Sequence, residues 1–225
     1  MLSGRVARLG DRAAPGDRIL LDGQPLPLHR GGGAARVILY HKPEGELVTR
    51  SDPEGRRTVF ERLPPLRDGR WIAVGRLDLN SSGLLLFTNS GDLAHRLMHP
   101  RHEIEREYAV RALGELSEER RSRLLAGVTL DDGVARFEHL EETGKPEGAN
   151  RWVRVTLREG RNREVRRLFE AIGMRVSRLM RIRFGPVRLP RDLKPGRWVE
   201  LAGAEVLRLS SGSPVPDIVP RGKSC

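Results

Sequence analysis

Apolar and polar positions along this chain fall into short runs of strand length, broken by a few stretches of helical spacing. Val37-Ile38-Leu39-Tyr40, Trp71-Ile72-Ala73-Val74 and Leu84-Leu85-Leu86-Phe87 are continuous apolar runs that predict strands, the last of them buried. Ile104 to Val110 alternates, with Ile104, Arg106, Tyr108 and Val110 on one face. Val153, Val155 and Leu157 alternate with Arg154, Thr156 and Arg158, as in a half-buried strand. Val176 to Phe184 is strand-like again, and Arg197 to Leu201 closes the series. Three helices stand between these runs. One covers Leu93 to Met98 behind a turn and cap at Thr88 to Asp92. A second runs from a Ser117 cap to Ala126 and stops at Gly127, and a third spans Glu164 to Ile172 with Gly173 as its stop. Strands and helices without regular βαβ alternation predict an α+β fold, a mostly antiparallel mixed sheet with helices packed on it.

The first thirty residues read differently. Arg5-Val6-Ala7 and Arg18 to Leu21 are short strand-like pieces, separated by Pro15-Gly16-Asp17, and Asp22-Gly23 is a hairpin turn. This piece is too short to hold a core of its own. His29 to Gly33 reads as a linker, so the expected division is 1–30, a main body at 34–207, and a disordered tail at 208–225. A length of 225 residues suits one large domain with a small appendage, at roughly 100–200 residues per domain.

Composition narrows the function. A hydrophobic fraction of 38 % and the absence of any long apolar run predict a cytoplasmic protein with neither a membrane span nor a signal peptide. The single thiol, Cys225, leaves no disulfide framework, zinc Cys-x-x-Cys site or cysteine nucleophile, and six scattered histidines lack metal-binding spacing. The net charge of +11 is more telling. Codon bias in a GC-rich genome would favour arginine over lysine with no function attached, so placement matters more than number. Between Asn150 and Arg191 there are 13 arginines against Glu159, Glu164 and Glu170, a balance that accounts for nearly all of the net charge. One sign concentrated in one stretch is the footprint of a polyanion, and nucleic acid is the leading partner.

The stretch most able to carry chemistry is Gly75-Arg76-Leu77-Asp78-Leu79-Asn80-Ser81-Ser82-Gly83, between two apolar strands. It reads either as a long turn, with Asp78 and Asn80 bonding their own backbone, or as a loop that presents a carboxylate from a rigid scaffold. In the second case Asp78 serves as nucleophile or general base, kept ionised by a nearby cation. No second acid is near in sequence, which argues against a glycosidase-type acid pair.

Gly75-Arg76-Leu77-Asp78, followed by Ser82 to Leu86 and Thr88-Asn89, resembles the signature loop of bacterial ribosomal RNA pseudouridine synthases. The branch is the one that includes small-subunit synthase A and large-subunit synthases B, E and F. Other marks follow in the expected order: His41-Lys42-Pro43-Glu44-Gly45, Glu105 to Val110, Arg158 to Arg167, Leu179 to Pro186, and Pro195 to Trp198. The resemblance spans about Arg36 to Leu201, and Arg70 to Gly75 and Arg96 to Pro100 look most like the B-type large-subunit members.

The resemblance implies an isomerisation of uridine to pseudouridine that needs no cofactor and no metal. It implies Asp78 as the catalytic carboxylate, either attacking C1′ or removing the C2′ proton. Tyr108 would stack on the extracted uracil and help the C5 proton depart, and Arg166 would pair with Asp78. Arg76 would enter the space left by the flipped nucleotide. Leu179 would line the wall behind the base, and Lys42 would serve RNA positioning or local structure. Arg161, Arg163, Arg167, Arg181 and Arg183 are expected to meet phosphates. The implied partner is ribosomal RNA, by resemblance 23S RNA in domain V near the peptidyl-transferase region, or a pre-ribosomal particle, bound by a monomer. A 16S target and a non-catalytic RNA-binding assembly factor are the alternatives. Gly4 to Gly23 resembles the second half of an S4 RNA-binding domain whose first two helices are absent, which implies a truncated chain or a start assigned at an internal Met.

Overall fold

The computed structural model describes residues 1–8, 11, 13, 14, 16–26, 34–144 and 148–211. The chain divides into two units, Met1–Gly33 with Arg67–Gly69, and Ala34–Leu66 with Arg70–Cys225. In the first, β1 (Leu20–Leu21) and β2 (Gln24–Pro25) form a hairpin. Its turn residues Asp22 and Gly23 have φ of 49° and 78°, the left-handed pair that a two-residue hairpin requires. Arg5-Val6-Ala7 is not a strand: Arg5 makes only an isolated bridge to Leu2. Leu2 is the buried apolar side chain among the described residues of this unit. Asp11 and Asp17 tie its turns, accepting from the Arg8 and Ala14 amides. The expected linker at His29 to Gly33 and the tail beyond Ser211 lie outside the described residues.

In the second unit the strands are β3 (Val37–Lys42), β4 (Ile72–Val74), β5 (Ser82–Thr88), β6 (Arg106–Leu113), β7 (Val128–Leu130), β8 (Gly133–Ala135), β9 (His139–Glu142), β10 (Asn150–Leu157), β11 (Arg175–Phe184), β12 (Val187–Arg188) and β13 (Trp198–Glu200). The helices are α1 (Gly91–Met98), α2 (Glu118–Ala126), α3 (Glu164–Ala171) and α4 (Gly203–Ser211). A nine-stranded sheet runs in the order β13-β3-β5-β11-β6-β10-β9, with β4 on β5 and β12 on β11. Its pairs are antiparallel except β5 with β11, which run parallel at Met180↔Ser82 and Arg181↔Gly83. The α+β fold with a mostly antiparallel mixed sheet is therefore present. None of the described helices is long and apolar enough to cross a membrane.

The continuous apolar runs are explained by cover on both faces. Every residue of β3 is buried. Ile38, Tyr40, Leu85 and Phe87 join one core with Leu124 of α2 and with Leu168 and Phe169 of α3. Val37, Leu39, Leu84 and Leu86 join a second core with Leu93 and Leu97 of α1 and with Val206 and Leu209 of α4. β6 and β10 alternate instead. Tyr108, Val110 and Ala112 face the first core, whereas Glu107 on the other face belongs to an ion network with Arg154, Arg183 and Arg188. Ile104, expected on the face of Tyr108, precedes the strand and packs against the second core.

The caps are where the pattern placed them. Ser90 and Ser117 accept from the Leu93 and Arg120 amides at 3.3 Å. Gly127 and Gly173 have positive φ past the ends of α2 and α3. The helix α4 was not foreseen, and it crosses the expected domain edge at 207.

Candidate active site

The loop Gly75 to Ser81 leaves β4 and enters β5 where the parallel pairing with β11 begins. Its Leu77 side chain is buried in the first core and pins the loop to the sheet. The backbone of the loop is then held at successive carbonyls. The Asp78 carbonyl accepts from the Ser81 amide at 3.0 Å, and the Leu79 carbonyl from the Gly45 amide at 2.9 Å. Arg166 Nη2 of α3 donates to the Asn80 carbonyl at 2.8 Å. Lys42 Nζ at the end of β3 donates to the Ser81 carbonyl at 2.8 Å and to the Pro43 carbonyl at 2.9 Å. Three separate parts of the chain thus converge on one short loop, and a half-buried Asp78 carboxylate is its product.

The charge around that carboxylate is positive and largely dry. Lys42 is fully buried, and burial pulls its ammonium down to about 8, partly offset by Glu46, Glu44 and Asp78. Arg166 is buried as well, and desolvation and then Arg163 lower its pKa while Asp78 supports the charge. The expected direct pair of Arg166 with Asp78 is replaced by a different arrangement. The guanidinium donates to the Asn80 and Val176 carbonyls and acts on the carboxylate through space. Its two terminal nitrogens are thus committed to backbone, one of them to a carbonyl two residues from the aspartate.

Asp78 opens onto a cavity of about 300 Å³. Tyr108 of β6, Leu179 and Arg181 of β11, and Arg76, Arg161 and Arg163 at its rim line the same space. A cavity of this size, with one carboxylate, a phenol, an apolar wall and guanidinium donors, suits a single planar heterocycle with a sugar at its mouth. Arg163 takes the left-handed conformation, φ 49°, at the N-cap of α3. Arg76 is exposed.

Other expected contacts are corrected by the structure. Lys42 is sealed beneath the loop, which leaves local structure and removes RNA positioning. Arg167 is paired with Asp132 at 2.8 Å, and Arg183 with Glu107 at 2.7 Å and Glu105 at 3.0 Å, on the face away from Tyr108. Their charges are already neutralised within the protein. Arg181 is buried, which excludes it from contact with an exposed phosphate chain. Arg161 keeps one foot in each place: it lines the cavity, pairs with Glu159 at 2.8 Å and donates to the Val134 carbonyl at 2.9 Å.

Two charged lining residues went unforeseen. Arg106 lies on the cavity side of β6, over the Phe184 ring at 5.2 Å, and donates to the Ile104 and Arg158 carbonyls. Burial lowers its pKa, offset by Tyr108 and Glu164. Its spacing of two from Tyr108 on an alternating strand was the available signal. Glu164, the first residue of α3, is buried against the cavity, and its carboxylate accepts from the Arg161 amide at 3.0 Å. Burial and then the Glu159 side chain push its carboxyl up to about 7. No pattern in the sequence separates this glutamate from a solvated first-turn residue.

Comparison with known proteins places these features in a family. The family model for RNA pseudouridylate synthase matches residues 36–171. Ribosomal large subunit pseudouridine synthase B of Salmonella typhi is 55 % identical over 207 residues, covering 91 % of this chain and 71 % of the relative. The protein of the same name from Escherichia coli strain K12 is 55 % identical over 203 residues, covering 89 % of this chain and 69 % of the relative. A crystal structure of a pseudouridylate synthase superposes with a TM-score of 0.70 at 25 % identity, covering 93 % of this chain and 87 % of the other.

Proposed function

Since the chain belongs to the RNA pseudouridylate synthase family, we propose that it isomerises a specific uridine to pseudouridine in large-subunit ribosomal RNA, with Asp78 as the reacting carboxylate. The observation that carries the reading is the loop clamp. Arg166, Lys42 and Gly45 hold the backbone on either side of one carboxylate, and that carboxylate opens onto a cavity of base size shared with Tyr108. Catalysis gains most from groups fixed before the substrate arrives.

The chemistry follows from where these groups stand. The target nucleotide leaves its helix and its base enters the cavity, at a cost of a few kcal/mol for unstacking. Arg76, exposed at the rim, fills the gap left behind. Asp78 reaches the sugar, where it attacks C1′ or takes the C2′ proton, and the N1–C1′ bond breaks. The freed uracil turns against Leu179 and rejoins C1′ through C5. Tyr108 stacks on the ring and assists loss of the C5 proton, whose electron pair closes the C5=C6 bond while N1 gains a proton. Arg163, at the rim and without a carboxylate partner among the described residues, meets a phosphate flanking the target. The protein acts as a monomer in the cytoplasm, on 23S RNA in domain V or on a particle that contains it.

Pseudouridine mapping of 23S and 16S RNA, with the gene intact, deleted, and restored as wild type or Asp78→Asn, tests the proposal. One 23S position should lose its modification on deletion and regain it only with the wild-type gene. Loss at a 16S position would move the target to the small subunit. Unchanged modification in every strain would reject the enzymatic reading in favour of an assembly factor.

A further inference from the structure

A buried guanidinium is costly unless both its donors and its charge are satisfied. Arg181 is 2 % exposed and lines the cavity beside Tyr108. Its Nε donates to the Leu84 carbonyl at 2.7 Å, and its guanidinium carbon lies 5.3 Å from the centre of the Phe184 ring. Its Nη2 is buried without a hydrogen-bond partner. Besides the Leu84 carbonyl, its polar and charged neighbours are the Tyr108 side chain, which supports its charge in part through a hydrogen bond, and a second cation, Arg106, which opposes it; among the described residues no carboxylate pairs with it. Burial accordingly pulls its pKa down.

Arg183, two residues along the same strand, shows the contrast. It has Glu105 and Glu107 as partners, whereas Arg181 has none of that kind. The backbone works to keep Arg181 where it is. The register of β11 against β6 shifts between Arg181 and Arg183, an irregularity of the sort that re-aims a side chain. Gly83 permits the close approach on the other side, because a Cβ there would collide with the Arg181 carbonyl oxygen. Ser81 Oγ and Glu164 Oε1 are also buried at the cavity without partners, but neither brings positive charge.

The isomerisation proposed above creates the missing partner. When the N1–C1′ bond breaks, its electron pair leaves with the uracil, which becomes an anion delocalised over N1, O2 and O4. The same pair later forms the C5–C1′ bond, and the proton lost from C5 is matched by one gained at N1, so the charge on the ring is transient. We propose that Arg181 is a further catalytic residue, whose free Nη2–H donates to a carbonyl oxygen of the extruded uracil and stabilises the uracil anion. A fixed donor in a dry site, aimed at charge that appears only during reaction, is the arrangement that accelerates a step rather than tightening binding. The inference rests on the pseudouridine synthase reading.

Leaving-group dependence tests it. The anion of 5-fluorouracil is more stable than that of uracil and needs less help. Single-turnover consumption of the target nucleotide is measured on RNA carrying uridine or 5-fluorouridine there, with wild type, Arg181→Met and Arg181→Lys, each checked for folding by thermal melting. Arg181→Met should slow the uridine reaction by about 10²–10³-fold, as loss of one such donor does elsewhere, and the 5-fluorouridine reaction at least about tenfold less. Arg181→Lys should recover part of the loss and keep the same ordering of the two RNAs, and it carries the comparison if the methionine variant does not fold. Equal losses on both RNAs in the folded variants, or a loss confined to RNA affinity, would overturn the role assigned to Arg181. A wild-type protein inert on both RNAs would instead defeat the pseudouridine synthase reading itself.

Discussion

At the scale of single residues, the site depends on charges that burial has made expensive. Lys42, Arg166 and Arg181 are all withdrawn from water around one half-buried carboxylate. The identity of Asp78 and Tyr108 could be read from their motifs, because the residue types are local in sequence. The clamp could not. Lys42 and Arg166 reach carbonyls 39 and 86 positions away, and a backbone acceptor leaves no mark on the residue type that carries it. The assignment of Arg181 and Arg183 to phosphates failed for a related reason, since burial and ion pairing depend on which strands become neighbours. Glu164 gives a prediction at this scale. Its carboxyl is pushed up to about 7 in the folded protein, so the folded state holds a proton that the unfolded state has released between roughly pH 4.5 and 7. The stability it contributes is full below about pH 4.5 and is lost as the pH rises through 7. Urea unfolding across that range should show wild type losing up to about 3 kcal/mol relative to Glu164→Gln, from a shift of this size. Parallel curves for the two proteins would remove the buried proton from the account.

At the scale of elements, the site is built where the sheet changes character. β5 meets β11 in parallel for only two residue pairs, and then β11 departs and β4 takes over that edge. Gly83 sits at this junction with φ of 104°. Gly83→Ala combines a forbidden backbone conformation with a collision against Arg181, and should cost about 3 kcal/mol or more in urea unfolding. A change below about 0.5 kcal/mol, the scatter of neutral surface substitutions, would show that the junction is looser than described. The helix α3 belongs to the same scale, because Arg166 ties it to the Asp78 loop. Arg166→Lys keeps the charge but loses the fork. It should lower single-turnover rates by about 10²-fold with little effect on RNA affinity, as a misplacement of about 1 Å does. Unaltered turnover would separate the loop from the helix.

Most strands and three helices were legible from periodicity because their apolar runs matched one element each. The helix α4 was not, because only Val206 and Leu209 are buried within it and a Ser, Gly and Pro stretch follows directly. A two-residue apolar stripe of that length is too weak to stand out as a helix.

At the scale of the whole molecule, the local excess of 13 arginines over three glutamates between Asn150 and Arg191 overstates what RNA can meet. Acidic residues from β6, β9 and the β7–β8 turn return to neutralise arginines of the basic stretch: Glu107 for Arg154 and Arg183, Glu141 for Arg154, and Asp132 for Arg161 and Arg167. Charge counted along a chain cannot reveal this, since every pair joins parts of the chain that only the fold brings together. Arg76 and Arg163, at the rim of the cavity, remain without a carboxylate partner among the described residues. Affinity for the target RNA should therefore fall with salt, and Arg163→Met should reduce the slope of log K against log salt by about 0.7–0.9, the value of one phosphate contact. Arg183→Met should leave that slope unchanged, and a drop there equal to that of Arg163→Met would contradict the neutralised face.

The central claim is that this fold brings one fixed carboxylate to the sugar of an extruded uridine. Tritium release from ribosomal RNA transcripts labelled at C5 of uridine reports it directly, because C5 loses its hydrogen only when the new C5–C1′ bond has formed. Wild-type protein should release tritium from a single position of the 23S transcript, and Asp78→Asn, with melting behaviour and RNA affinity like those of wild type, should release none. Release by the asparagine variant at the wild-type rate would contradict the account.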